Sequence, residues 1–205
     1  MSTQSIDIQI LDKIKKAKRG SLYFSENFIA QGNADAVRKA LERLVKAGEL
    51  QRAARGIYVR PEKDPVLGYV TPGIEKIAKA IAKRDRARIV PTGNYALNRL
   101  GLSTQVPMNI VYLTDGSARK IRIGKYIITF KKTTPKNLTA IGEISKLAIQ
   151  ALRTIGKDNV SQEEIEKITQ LLKKEKATHL QHDIRLAPAW IRKIMLPVLK
   201  QKANE

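Results

Sequence analysis

The chain of 205 residues contains no cysteine. That excludes a disulfide framework, a thiolate metal site and a cysteine nucleophile. Acidic residues are scarce, 19 against 39 Lys and Arg, for a net charge of +20. Asp85 and Asp115 stand isolated in a basic stretch, too few ligands for the two-metal site of a nuclease or nucleotidyl transferase. Aromatic residues make up only 5% of the chain. No apolar run approaches the ~20 residues that span a bilayer, and Met1–Leu11 lacks the apolar centre of a signal peptide. The expectation is a cytoplasmic protein with no membrane partner. Phosphate-binding glycine loops, dinucleotide fingerprints and nucleophile elbows are also missing. The only histidines, His179 and His182, are three residues apart and followed by Asp183, whereas a zinc-protease helix spaces its pair by four and needs a third firm ligand. They read as surface or capping residues. The expectation is a protein that is not an enzyme and has no cofactor and no metal.

What the chain has is positive charge, unevenly spread. Residues 1–68 carry 13 Lys and Arg against 8 acidic residues, residues 69–140 carry 14 against 3, and residues 141–205 carry 12 against 8. Such an excess attracts a polyanion.

The first segment reads as three helices and a hairpin. Ile6, Ile10, Leu11 and Ile14 have helical spacing, and Lys18-Arg19-Gly20 ends that helix. Leu22-Tyr23-Phe24 is a short apolar run. Ser25 reads as the N-cap of a second helix through Ala30, and Gln31-Gly32-Asn33 as a turn. A third helix over Ala34–Ala47 places Val37, Leu41, Leu44 and Val45 on one face, with Gly48 as its C-cap. Leu50–Ala53 and Ile57–Arg60 are two strands joined through Arg55-Gly56. This is the order of a winged helix-turn-helix, expected to bind double-stranded DNA over residues 1–68.

Pro61–Pro72 reads as a linker. After it, residues 69–205 are expected to form an α+β domain. Ile74, Ile77, Ala78, Ile81 and Ala82 mark a helix, and Asn94–Leu100 a shorter one. Asn109–Thr114, Lys120–Ile123 and Tyr126–Lys131 read as a small antiparallel three-stranded meander. Helices follow from Ile144 to Ile155, from the Ser161/Glu164 capping box onward, and from Pro188, with Trp190 as a core anchor.

Wheel geometry turns Asp35, Lys39, Arg43 and Lys46 of the third helix outward, with Arg38 at the edge of its apolar face. A helix in the major groove reads with its N-terminal half, which assigns Arg38 and Lys39, beside Asn33, to base edges or nearby phosphates. Arg43 and Lys46 are assigned to phosphate, and Arg52 and Arg55 to a wing contact. A second basic surface is expected from Arg84, Arg86 and Arg88 together with Lys120, Arg122, Lys125 and Lys131. It suits more nucleic acid or an acidic protein partner, so a protein-interaction module and an RNA-binding module remain open beside the DNA reading. Only Tyr112, Tyr126 and Phe130 are available there for base stacking.

The run Pro91-Thr92-Gly93-Asn94-Tyr95-Ala96-Leu97-Asn98-Arg99-Leu100-Gly101 is the most specific signal, followed by Val111-Tyr112-Leu113-Thr114-Asp115-Gly116 and Ile127-Ile128-Thr129-Phe130-Lys131. Over residues 20–183 the chain resembles the AbiEi-type antitoxins of type IV toxin–antitoxin systems, including a closely similar bacterial family of unknown function. That resemblance implies a winged helix joined to an antitoxin domain, an autorepressor that binds inverted repeats upstream of its own operon, and a nucleotidyltransferase toxin as partner. It implies no oligomeric state and assigns no role to residues 161–205.

Overall fold

The computed structural model describes residues 4–66 and 68–203. The fold is mixed α+β and divides into two compact units, Met1–Ile81 with Arg122–Gly124, and Ala82–Ile121 with Lys125–Glu205.

In the first unit, helix α1 (Ile6–Lys15) is capped by the Ser5 side chain and buries Ile10 and Ile14. The guanidinium of Arg60 donates to the carbonyls of Lys15 and Ala17 just past its last turn, placing a cation at the negative end of the helix. The expected second α-helix is instead a 3-10 helix, Ser25–Gln31, with Phe28 as its buried residue. Ser25 is not its cap. Asn27 Oδ1 takes the Phe24 N–H at 2.7 Å, which organises the entry and leaves the Ser25 hydroxyl unused there. Helix α2 (Ala34–Lys46) starts where Asn33 Oδ1 accepts from the Ala36 N–H at 2.9 Å. It ends in a Schellman turn, with the Glu49 N–H on Leu44 O and Gly48 at φ +75°.

Three strands form a sheet in this unit: β1 (Leu22–Phe24), β2 (Gln51–Ala54) and β3 (Ile57–Val59), antiparallel in the order β1-β3-β2. With only three residues, β1 is too short for alternation to betray it in sequence. It pairs through Tyr23 opposite Tyr58. Ile10 and Ile14 of α1, Phe28, Val37, Leu41 and Leu44 of α2, and Leu50 share one core with Tyr23 and Tyr58.

The expected linker at 61–72 is replaced by a two-stranded hairpin, β4 (Glu62–Asp64) with β5 (Gly68–Val70). Glu62-Lys63-Asp64 and Gly68-Tyr69-Val70 show no apolar alternation, and prolines and glycines punctuate the segment as they do a loop. Asp64 Oδ1 accepts the Val66 N–H at 2.8 Å to start the turn, and the Lys63 ammonium lies 5.1 Å from the Tyr69 ring centre.

Helix α3 (Ile74–Arg84) buries Ile77, Ala78 and Ile81. Beyond it lie β6 (Ile89–Thr92), α4 (Asn94–Arg99), β7 (Asn109–Thr114), β8 (Arg119–Ile123) and β9 (Tyr126–Lys132). The sheet is mixed and four-stranded, in the order β6-β7-β9-β8, not the expected three-stranded antiparallel meander. β9 runs parallel to β7, Tyr112 opposite Phe130, while β6 pairs antiparallel on the other side of β7. Gly124 and Lys125 form the turn that joins β8 and β9. The hairpin sets β9 rather than β8 against β7, because β9 carries the alternate buried residues Ile128 and Phe130 that continue the apolar face of Ile110 and Tyr112. The polar strand β8 is left at the edge, where charged side chains discourage pairing with another chain.

A 3-10 turn (Pro135–Leu138) leads to α5 (Glu143–Ile155), α6 (Gln162–Leu172), α7 (Ala177–Leu186) and α8 (Ala189–Ala203). The Ser161/Glu164 capping box forms, and Arg192 N–H on Pro188 O makes Pro188 the residue before the last helix. Leu147, Ala148, Ala151 and Leu152 of α5 meet Ile168, Leu172, Leu180, Ile184, Ile191 and Met195 in one core. Trp190 is half-buried at the margin of that core.

The start of α5 is held by two buried carboxylates. Gly142 has no side chain to cap the helix. Instead Asp183 accepts the N–H groups of Ile141 at 2.9 Å and Gly142 at 2.8 Å and the Ser145 hydroxyl. Glu175 accepts the N–H of Ile144 at 2.8 Å and of Ser145 at 3.3 Å. Burial works to raise the Glu175 pKa, but the N–H groups of Ile144, Ser145 and Lys176 and the His179 ring together hold it below the ordinary value.

Candidate nucleic-acid interface

α2 carries its charge on the face away from the core. Val37, Ala40, Leu41 and Leu44 are buried, while Arg38, Lys39, Arg43 and Lys46 are all exposed. They are not equally free. Arg38 lies between Asp35 at 3.7 Å and Glu42 at 3.0 Å on its own helix. Arg43 reaches to α1 and holds Asp7 with two hydrogen bonds, Nε to Oδ2 at 2.7 Å and a terminal nitrogen to Oδ1 at 2.6 Å. Such a bidentate bridge between helices fixes the guanidinium in place. Among the described residues, no carboxylate pairs with Lys39 or Lys46.

The hydrogen bond from Arg43 holds the Asp7 carboxyl below the ordinary carboxylate value. A depressed pKa adds stability that is present above the unfolded value and lost as pH falls through the folded one. Asp7→Asn is therefore expected to flatten the acid limb of the unfolding curve, with little change near neutrality in its slope. An unchanged acid limb, followed by urea denaturation from pH 6 down to pH 2, counts against the bridge.

On the β2–β3 hairpin, Arg52 and Arg55 are exposed with no carboxylate partner among the described residues, and Gly56 at φ +72° makes the turn. Asn33 is exposed, but its Oδ1 is taken by the α2 cap, which leaves its amide hydrogens for any other contact.

The expected basic surface divides. Arg88 is bound to Asp115 through both its side chain at 2.8 Å and its own N–H at 2.7 Å. Arg84 lies 2.9 Å from Asp85, which also takes Arg119. The two aspartates that looked isolated in sequence are thus ion-pair partners across a turn and between strands. Spacing alone does not bring Asp115 to Arg88 or Asp85 to Arg119; the sheet does. Arg86 is exposed at φ +52° where α3 gives way to β6. Lys120 and Arg122 leave one face of β8, alternating with Ile121 and Ile123, and Lys125 and Lys131 are also exposed. Burial of Tyr112 and Phe130 leaves only half-buried Tyr126 for stacking, with Lys125 over its ring.

His179 Nδ1 lies 3.5 Å from Glu175 and His182 Nδ1 2.8 Å from Asp183, so both flank the α5 clamp. Among the described residues no group of three or more His, Asp or Glu side chains is placed to hold a metal ion, and no helix is long and apolar enough to cross a membrane.

Residues 9–180 match the model of a family of unknown function, DUF6088, and the chain belongs to that family. No curated protein matches it. The crystal structure of the RV2827C protein from Mycobacterium tuberculosis is similar at 12% identity and a TM-score of 0.46, covering 94% of this chain and 81% of that one.

Proposed function

We propose that this DUF6088 protein is a DNA-binding transcriptional regulator, with α1, the 3-10 helix and α2 acting as a helix-turn-helix and β2–β3 as its wing. One observation carries the reading. α2 seals its apolar face in the core and presents Arg38, Lys39 and Lys46 to solvent, beside a hairpin that adds Arg52 and Arg55. Lys39 stands in the first half of the helix, where a recognition helix meets base edges; Lys46 near its end suits phosphate. Arg38 is the second reader, because exposed ion pairs like those with Asp35 and Glu42 hold weakly and yield to a better-placed anion. Arg43 is assigned to the bridge with Asp7 rather than to phosphate. Scarcity of exposed aromatics favours duplex DNA over single-stranded RNA.

Autorepression from inverted repeats, in the cytoplasm, is the regulatory role we assign. Support comes from the resemblance of Pro91–Gly101, folded here as β6 and α4, to AbiEi-type antitoxins. The same resemblance makes the second unit the part that neutralises a nucleotidyltransferase toxin. Expression with the adjacent gene tests that role: growth is restored by the full chain, and absence of rescue removes it.

The DNA reading is tested on the segment upstream of the gene. The protein is expected to prefer it to an unrelated duplex, and Arg38→Ala with Lys39→Ala to abolish that preference. Arg43→Ala is expected to weaken binding less than Lys39→Ala does. Equal binding by parent and double variant in a gel-shift titration overturns the recognition-helix assignment.

A further inference from the structure

On the second unit, a cleft between the 3-10 turn Pro135–Leu138 and α5 gathers cations away from the expected basic surface. It is lined by Lys136 and Asn137 from the turn and by Lys146, Gln150 and Arg153 from α5. The last three lie at i, i+4 and i+7, one stripe of the helix. Ile149 contributes an apolar wall.

Arg153 is held by the turn, whereas the Lys136 ammonium is exposed and has no partner among the described residues. The Asn137 amide donates to Thr133 Oγ1 at 2.8 Å, which turns its Oδ1 to accept from Arg153 at 2.7 Å. That is a neutral partner. Among the described residues no carboxylate pairs with Arg153 or Lys136, and the one beside Lys146, Glu143, is itself 77% exposed. Gln150 is 4% exposed, its Oε1 takes the Thr92 hydroxyl at 3.3 Å, and its amide nitrogen has no acceptor among the described residues. Burial draws the Arg153 guanidinium below its ordinary pKa, though the residue is still exposed to solvent. A guanidinium met only by a neutral amide keeps donors free for an anion.

We infer that this cleft binds a phosphate group, with the Arg153 guanidinium and the Lys136 and Lys146 ammonium groups as charge partners and the Gln150 amide as a neutral donor. Three cations and an amide donor suit the several acceptor oxygens of phosphate better than a single carboxylate. The group is either free, as inorganic phosphate or a mononucleotide, or a phosphodiester of the DNA backbone. The cleft does not depend on the DNA reading above, since the free-phosphate arm is read without DNA.

The test is calorimetric titration of the full chain with inorganic phosphate and with a 5′-mononucleotide in a chloride buffer, alongside DNA binding at matched salt. Arg153→Gln and Lys136→Gln are compared with Lys193→Gln, which removes one exposed charge on α8, outside every surface assigned to DNA. Lys136 is exposed and gives a variant whose folding is not at stake. If the site takes free phosphate, the parent binds it saturably and both cleft variants lose at least tenfold, while Lys193→Gln does not. If it takes the DNA backbone, the cleft variants instead lose DNA affinity severalfold more than Lys193→Gln. Binding of neither kind, or equal losses in all three variants, overturns the proposal.

Discussion

Replacing Asp183 with Ala is expected to destabilise the second unit by about 3–5 kcal/mol, since each of several buried donors loses its acceptor at about 1–3 kcal/mol. Asp183 is fully buried and serves Ile141, Gly142 and Ser145 at once. These donors lie at the start of α5, where the helix cannot satisfy its own N–H groups. Gly142→Ala attacks the same point from the other side, because its methyl would overlap Ser145 Oγ and the Glu175 carboxylate. The chain has one tryptophan, Trp190, packed against the α5 core, so its fluorescence during urea unfolding reports this unit directly. Acid should act similarly. The lowered Glu175 pKa means its contribution is complete above the unfolded carboxylate value and disappears as pH falls through the folded one. A Trp190 transition that Asp183→Ala leaves unmoved shows that the clamp does not hold α5.

The second large effect concerns DNA. Replacing Lys39, Lys46, Arg52 and Arg55 together by Ala is expected to lower affinity by about 100-fold near physiological salt and to flatten the salt dependence. Each neutralised phosphate adds about 0.9 to the slope of log K against log salt, so four lost contacts remove about 3 to 4. All four side chains are exposed and without carboxylate partners among the described residues, so thermal unfolding of the variant should match the parent. Filter binding across a salt series separates the outcomes. An unchanged slope places the phosphate contacts elsewhere, the basic strand residues Lys120 and Lys131 being the first candidates.

Periodicity made α1, α2, α5 and α6 readable because each buries a stripe with helical spacing, and local signals mark some of their ends, Ser161 before α6 and Gly48 and Gly156 just after α2 and α5. Among the short elements β2, β3 and α4 were readable from the turns that bound them, and others were not. β1 and β6 have three and four residues, and α7 has a half-polar sequence, so partners elsewhere in the chain decide their state. The parallel placement of β9 beside β7 is likewise a tertiary choice between two hairpin faces. Residue types on α2 were legible as exposed cations, but their availability was not. Asp7 is thirty-six positions from Arg43, and only the packing of α1 on α2 reveals that the arginine is engaged. The cleft residues Lys146, Gln150 and Arg153 had a visible signal in their i, i+4, i+7 spacing, hidden because Lys136 and Asn137 come from another segment.

Position of DNA on the protein is the most direct test of the winged helix-turn-helix reading. Upstream duplex carrying 5-iodouracil at successive major-groove positions is photocrosslinked to the full chain, and the attached peptides are mapped. Crosslinks within residues 33–46, with weaker ones at 52–55, are the expected result. Crosslinks confined to residues 84–132, or none under conditions where the duplex is bound, would contradict it.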